Sequence, residues 1–181
     1  MGVAGCGGLG SNAAVALVRA GLGRVILVDF DVVEASNLNR QYFFQADLGK
    51  KKAEVLRDRL REINPRVEVQ THVCRLTPGE VAPIFGAAEV LIEAFDRAEA
   101  KRWLIEAWCR AFPDRPIVCG NGLSGLGPLA ELTVKRVGPI YFCGDGRTDS
   151  TQGLCSTRVA IVANMEAHTA IELLVQARGG K

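Results

Sequence analysis

Two short stretches hold residues able to do chemistry. Gly5-Cys6-Gly7-Gly8-Leu9-Gly10 has the spacing G-x-G-x-x-G between a strand-like and a helix-like run. Glycines there let the backbone approach a phosphate while free helix N–H groups point at it. The acid that such a turn calls for, about 20 residues further on, is Asp29, at the end of the apolar run Arg24-Val-Ile-Leu-Val-Asp29, where a carboxylate can accept from ribose hydroxyls. Ser36-Asn37-Leu38-Asn39-Arg40-Gln41 follows on the next loop. A ligandless glycine turn is the alternative to a nucleotide site.

Arg40 separates kinds of nucleotide chemistry. A guanidinium grips phosphate oxygens bidentately, and an arginine that greets a 2′-phosphate sits beside the ribose acid rather than this far beyond it. Arg40 therefore points to phosphate handling instead of hydride transfer, with a solvated surface arginine as the alternative. Lys50-Lys51-Lys52 then opens a helix, although each cation at a helix N-terminus costs about 0.3–1 kcal/mol, so something should compensate. Lys52 stands three and four positions before Val55 and Leu56, which starts its side chain on the core-facing side. Lys50 and Lys51 read as solvated, and a wholly solvated run is the alternative for Lys52. Asp96 ends the buried run Val90-Leu-Ile-Glu-Ala-Phe95, at the carboxyl end of a central strand. It could hold Mg²⁺ together with substrate phosphates, or cap the next helix. No G-x-x-x-x-G-K-[ST] spans Gly49-Lys50, because Phe44 stands at the first glycine position, so any ATP is bound without a P-loop.

The elements that must position these residues follow from periodicity. Strands are expected over 2–6, 24–29, 66–71, 89–94 and 116–119, and helices over 10–22, 50–64, 78–85, 97–112 and 158–176, the last offering Ile161, Met165, Ile171 and Leu174 to the core. Such βα alternation predicts an α/β fold with a doubly wound, Rossmann-like, mostly parallel sheet. Two further strand-like runs, 129–137 and 139–143, predict an antiparallel hairpin extension before the C-terminal helix, and 144–152 reads as a loop. His72 and His168 read as structural.

The chain of 181 residues fits a single domain spanning 1–181, and its net charge of +2 makes no electrostatic case for nucleic acid or a membrane surface. No apolar run reaches the roughly 18 residues a membrane helix needs. Six cysteines without a C-x-x-C pair suit a reduced, cytoplasmic chain with no zinc site.

Taken together, the glycine motif, Val28-Asp29-Phe30-Asp31, Ser36 to Gln41, the lysine after Gly49 and the Asp96 strand end resemble the ThiF/MoeB/HesA family, bacterial relatives of ubiquitin-activating enzymes. Arg40-Gln41-Tyr42-Phe43-Phe44 and Glu93-Ala94-Phe95-Asp96 resemble its short ThiF branch, tied to thiamine synthesis. The resemblance implies Mg·ATP-dependent adenylation of the C-terminal glycine of a ThiS-like sulfur carrier by a homodimer. It implies that Gly5, Gly7, Gly8, Gly10, Asp29, Asn37, Arg40, Gln41 and Lys52 line the nucleotide, that Arg40, Lys52 and Asp96 act in catalysis, and that Asp96 coordinates magnesium. Gly120-Asn121-Gly122, with Gly125 and Gly127, would leave room for the carrier tail, unless this is a plain flexible loop. Many relatives carry two C-x-x-C pairs for zinc; here the loop from Cys143 to Cys155 must be organised otherwise. Some relatives use a cysteine for acyl transfer, a role open to Cys143 or Cys155 against that of an inert thiol. The chain also starts at its first strand, without the helical segment that in relatives supplies an arginine to the partner site, which implies weakened activity or a mis-set start. An NAD-dependent oxidoreductase, a non-catalytic module that binds a ubiquitin-like protein, and a modified-tRNA acceptor are the competing readings, the last disfavoured by the weak charge.

Overall fold

The computed structural model describes residues 1–148 and 150–179. Its seven-stranded sheet has the order β3-β2-β1-β4-β5-β7-β6. Strands β1 (Gly2–Ala4), β2 (Arg24–Val28), β3 (Glu68–His72), β4 (Leu91–Glu93), β5 (Ile117–Gly120) and β7 (Ile140–Gly144) run parallel, and β6 (Thr133–Val137) pairs antiparallel with β7 at the edge. This is the expected doubly wound sheet with its hairpin extension. Ala4 pairs with both Val28 and Glu93, so the strand order reverses at β1, and the residues after Ala4, Val28 and Glu93 share one carboxyl edge.

Alternation within each strand sorts its side chains between two cores. Val3, Leu27, Val69, Ile92 and Val118 face helices α1 (Gly8–Arg19), α2 (Lys52–Ile63) and α5 (Ser156–Gly179), while Ala4, Ile26, Leu91, Ile117 and Cys119 face α3 (Val81–Phe85) and α4 (Ala98–Ala111). Trp108 of α4 is wholly buried, its indole N–H donating to Arg115 O at 3.0 Å. Central strands covered on both faces read as continuous apolar runs for this reason.

Boundaries differ from expectation for local reasons. Helix α1 starts at Gly8 rather than Gly10. It ends at Arg19 rather than Leu22, because Gly21, at φ +97°, closes it with Leu22 N–H donating to Leu17 O and Gly21 N–H to Val18 O, a Schellman motif. Helix α2 starts at Lys52, because Lys51 bridges Val32 in an extended conformation. The expected strand from 129 begins only at Thr133: Leu129–Glu131 is a 3₁₀ turn after Pro128, with Glu131 N–H bonded to Pro128 O. On α5 Leu174 is buried as expected, together with Val159, Val162 and the small residues Ala163, Ala167 and Ala170 packed on α1, whereas Ile161 is exposed and Met165 and Ile171 are only half-buried.

The tightest approach is at Gly10, where a Cβ would overlap the Gly5 carbonyl oxygen. Gly21 has a positive φ but open space around it. Gly10→Ala is expected to destabilise the fold by about 3 kcal/mol or more, and Gly21→Ala by only about 1 kcal/mol, as read from urea unfolding midpoints.

Candidate active site

The cradle forms between β1 and α1. Gly5 has φ +95°, and its N–H donates to Val28 O at 2.9 Å, so the chain leaves β1 against the end of β2. No side chain caps α1 at Gly7 and no acid occupies its first turn. The N–H groups of Gly8, Leu9 and Gly10 precede the first i→i−4 bond, made by Ser11, and the positive end of the helix dipole lies beside them, an arrangement that favours an anion.

Asp29 is buried at the end of β2. Its carboxylate accepts Cys6 N–H at 2.6 Å and Asp31 N–H at 2.8 Å, tying the two loops together. Burial pushes this carboxyl above its usual range, opposed by those two bonds and by Lys52. The compensation for a cation at the start of α2 is found here: Lys52 is 6% exposed and donates to Asp31 Oδ2 at 3.2 Å. Lys51 turns its ammonium to Phe30 O at 3.0 Å, while Lys50 is exposed.

The arginine loop lies across the helix start. Cγ of Arg40 is 3.6 Å from where a Gly8 Cβ would stand, and its guanidinium donates to Ser36 O at 3.0 Å and Asn39 Oδ1 at 2.8 Å. Asn37 uses its own carboxamide within this turn, accepting Glu34 N–H at 3.1 Å. Gln41 is buried beside Gly7 with its Oε1 unpartnered. Two residues that sequence reading missed hold the loop: Ser11 accepts Tyr42 N–H, and Asn12 donates to Arg40 O. Their signal was available, since Ser and Asn are poor choices inside an otherwise Ala/Val/Leu helix.

At the end of β4, Glu93 is wholly buried and shared between Lys101 Nζ at 2.9 Å and Phe95 N–H at 2.7 Å. This fixes the turn that presents Asp96, which is exposed and makes no hydrogen bond or ion pair among the described residues. Phe95, the residue before it, stands 3.3 Å from a Cβ built on Gly5, so Asp96 emerges beside the cradle. A free carboxylate next to a phosphate site fits Mg²⁺, which usually keeps several waters and takes one or two carboxylates plus phosphate oxygens. No group of three or more His, Cys, Asp or Glu side chains is placed to hold a metal ion by itself among the described residues.

The loop from Cys143 to Cys155 is organised by charge. Asp145 and Arg158 form a buried ion pair at 2.6 Å; Asp145 also accepts Arg147 N–H and Thr148 N–H, and Arg158 donates to Gly127 O. This clamp joins the 121–127 loop to α5. Burial alone would raise the Asp145 carboxyl, but those N–H groups and the guanidinium hold it down at about 2. Glu166 of α5 is wholly buried with both oxygens unpartnered, and burial drives it far above the carboxylate range. The Cys143 thiol is buried and pushed up to about 12, chiefly by burial, whereas Cys155 is held below its usual value, first by the Thr157 hydroxyl and then by the Arg158 and Thr157 N–H groups. His168 points outward from α5, 3.6 Å from Glu172.

Glycine cradle, acid, lysine and arginine thus converge where the strand order reverses, as in proteins of the Rossmann-like class. Within that class the chain belongs to the ThiF family, whose profile matches residues 1–181. It is 37% identical over 142 residues to the adenylyltransferase and sulfurtransferase UBA4 of Lodderomyces elongisporus, covering 78% of this chain and 31% of that protein. It is 34% identical over 142 residues to the adenylyltransferase and sulfurtransferase MOCS3 of Culex quinquefasciatus, covering 78% and 32%. The chain therefore matches about a third of the length of these relatives. Among solved structures, E. coli tRNA N6-threonylcarbamoyladenosine dehydratase, TcdA, in complex with AMP superposes with a TM-score of 0.84 at 26% identity, covering 98% of this chain and 86% of that one. The ATP complex of TcdA gives a TM-score of 0.82 at 27% identity, covering 99% and 87%.

Because its folded pKa lies below the ordinary value, Asp145 stabilises the fold above about pH 4 and loses that contribution as pH falls toward about 2. Urea midpoints of wild type and Asp145→Asn are expected to differ most near neutrality and to converge only below about pH 2. A pH-independent gap would remove the charge from this account.

Proposed function

We propose that this chain is an adenylyltransferase that uses Mg·ATP to activate the C-terminal glycine of a small ubiquitin-like sulfur carrier, releasing pyrophosphate. The observation that carries this reading is the Arg40 side chain laid along Gly8 at an uncapped helix start, with Lys52 buried beside Asp29. A hydride-transfer site has no use for that pair of cations. Relatives named as adenylyltransferases, and the TcdA complexes with ATP and AMP, support the nucleotide.

In this reading Gly5, Gly7, Gly8 and Gly10 shape the phosphate cradle, Asp29 takes the ribose, and Asn37 and Gln41 line the phosphate side. Asp96 would hold magnesium, which supplies charge neutralisation on the phosphates. The carrier carboxylate, already ionised at neutral pH, needs no general base. Its oxygen bonds to the α-phosphorus as the bond from that phosphorus to the bridging oxygen of pyrophosphate breaks, and Arg40 and Lys52 offset charge on the phosphoryl oxygens and leaving group. The finer assignment, a ThiS-like carrier of thiamine thiazole synthesis, rests on Arg40 to Phe44 and Glu93 to Asp96. The Gly120–Gly127 loop, closed behind by Asp145 and Arg158, is the wall along which a thin tail would enter.

The chain acts as a homodimer in this account. Edge strand β6 is exposed throughout, and a groove of about 620 Å³ between β6–β7 and α5, lined by Val134, Tyr141, Ile161 and Met165, is the apolar face a second copy would cover. The cytoplasmic reading is supported by six free cysteines, and no helix among the described residues is long and apolar enough to cross a membrane. The likeness to TcdA favours a second reading, a tRNA-linked carboxylate as acceptor.

ATP–pyrophosphate exchange with a carrier ending in Gly-Gly tests these readings. Carrier-dependent exchange is expected, with Arg40→Ala and Asp96→Ala each lowering it about 10²–10³-fold without unfolding the chain. Near-wild-type exchange in either variant would remove the assigned roles. Exchange driven by modified tRNA instead of carrier would select the second reading, tight ATP binding without exchange a non-catalytic module, and NAD binding without ATP binding an oxidoreductase.

A further inference from the structure

We propose that Asn12, seconded by Ser11, is a positioning residue that couples the glycine cradle to the arginine loop, so that Arg40 is registered on Gly8 before any nucleotide arrives. The inference rests on the adenylyltransferase reading and deepens it.

Each of these two side chains faces both ways. The Ser11 hydroxyl donates to Gly7 O at 2.7 Å and accepts Tyr42 N–H at 3.0 Å. The Asn12 amide nitrogen donates to Gly8 O at 2.7 Å and to Arg40 O at 2.9 Å. Consecutive residues near the start of α1 therefore grip two cradle glycines on one side and the loop backbone flanking Gln41 on the other. Back-bonding to the i−4 carbonyl alone slightly destabilises a helix. Here the same groups bridge 28 and 31 positions along the chain.

The acceptors select the residue type. Two carbonyl oxygens converge on one side-chain atom, which must supply two hydrogens, and only the Asn amide nitrogen does so at this length. An Asp of the same shape would set an oxygen against both carbonyls. With the cradle N–H groups facing the phosphates and the cradle carbonyls bonded to Asn12 and Ser11, the Arg40 backbone holds a fixed place relative to the transferred phosphorus. Such preorganisation is realised before reaction rather than during it. Gln41, buried between the two gripped carbonyl and amide positions with Oε1 unpartnered, is carried into the crevice by the same bonds.

The test is a double-mutant cycle. Asn12→Asp and Asn12→Ala are made in the wild-type and Arg40→Ala backgrounds, and the ATP dissociation constant, kcat/KM for exchange and the melting temperature are measured. In the wild-type background Asn12→Asp is expected to cost about tenfold in kcat/KM for ATP at an assay temperature well below its lowered melting temperature, where the chain is fully folded. On top of Arg40→Ala the further loss should stay under about twofold, because the arginine to be positioned is gone. Asn12→Ala, which removes the donors without introducing charge, should show the same non-additivity. Equal losses in both backgrounds, or losses that track the melting temperature, overturn the coupling. Wild-type exchange abolished by Arg40→Ala but untouched by Asn12→Asp overturns this inference alone, whereas a wild-type chain that neither binds ATP nor exchanges overturns the parent reading and this one with it.

Discussion

Helix α1 can begin where it does only because Gly10 presents a hydrogen to the Gly5 carbonyl. That one contact lets the strand turn into the helix within four residues and brings the helix start down onto the ends of β1 and β4. The rest of the carboxyl edge is built on it. The Asp29 carboxylate can reach Cys6 N–H, Arg40 can lie along Gly8, and Phe95 can approach Gly5, because the turn occupies so little volume. A bulkier turn would leave the same side chains separated by the width of a methyl group, which is enough to misplace reacting atoms.

Charge is distributed along the sheet with the same economy. Buried ions are unfavourable unless paired and hydrogen-bonded, and here each of Lys52, Glu93 and Asp145 has a partner of opposite sign within about 3 Å. Glu93 ends β4, Asp145 follows β7 and Lys52 reaches Asp31 just beyond β2, whereas at the opposite edge the pairs Arg24–Glu68 and Arg178–Glu89 are exposed. The anchored charges hold loops in place at the carboxyl edge. Glu93 orients the turn carrying Asp96, and Asp145 gathers the chain between β7 and α5. Glu166 differs, a carboxyl sealed between α5 and Gly120 with no hydrogen-bond partner among the described residues, and burial drives it far above the carboxylate range.

Much of this was legible in the sequence where one residue type admits one explanation. The glycine spacing, the acid ending β2 and the continuous apolar strands predicted the sheet and its crevice. The position of Lys52 relative to Val55 and Leu56 predicted its burial, though its partner Asp31 could not be read from spacing. What escaped were polar residues whose meaning depends on distant chain. Arg158 and Glu166 sit on a helix whose small residues pack so closely on α1 that neighbouring polar positions are buried as well. Asp145 looks like any loop acid until Arg158 is brought to it. Ser11 and Asn12 looked like minor interruptions of an apolar helix, because their acceptors belong to a loop some thirty residues away. Periodicity reports the face a residue occupies; it carries nothing about which loop will come to meet that face.

The floor of the crevice joins two remote parts of the polypeptide. A Cβ at Gly8 would stand 3.1 Å from Cγ1 of Val159, in the first turn of α5, and α5 packs along α1 through Ala163, Ala167 and Ala170. During synthesis the glycine turn emerges well before α5, which supplies the surface beneath it. The crevice is therefore complete only once α5 has been made: a nascent or stalled chain lacking α5 carries every phosphate-facing glycine but no completed floor, and leaves the apolar stripe of α1 uncovered for chaperones to recognise.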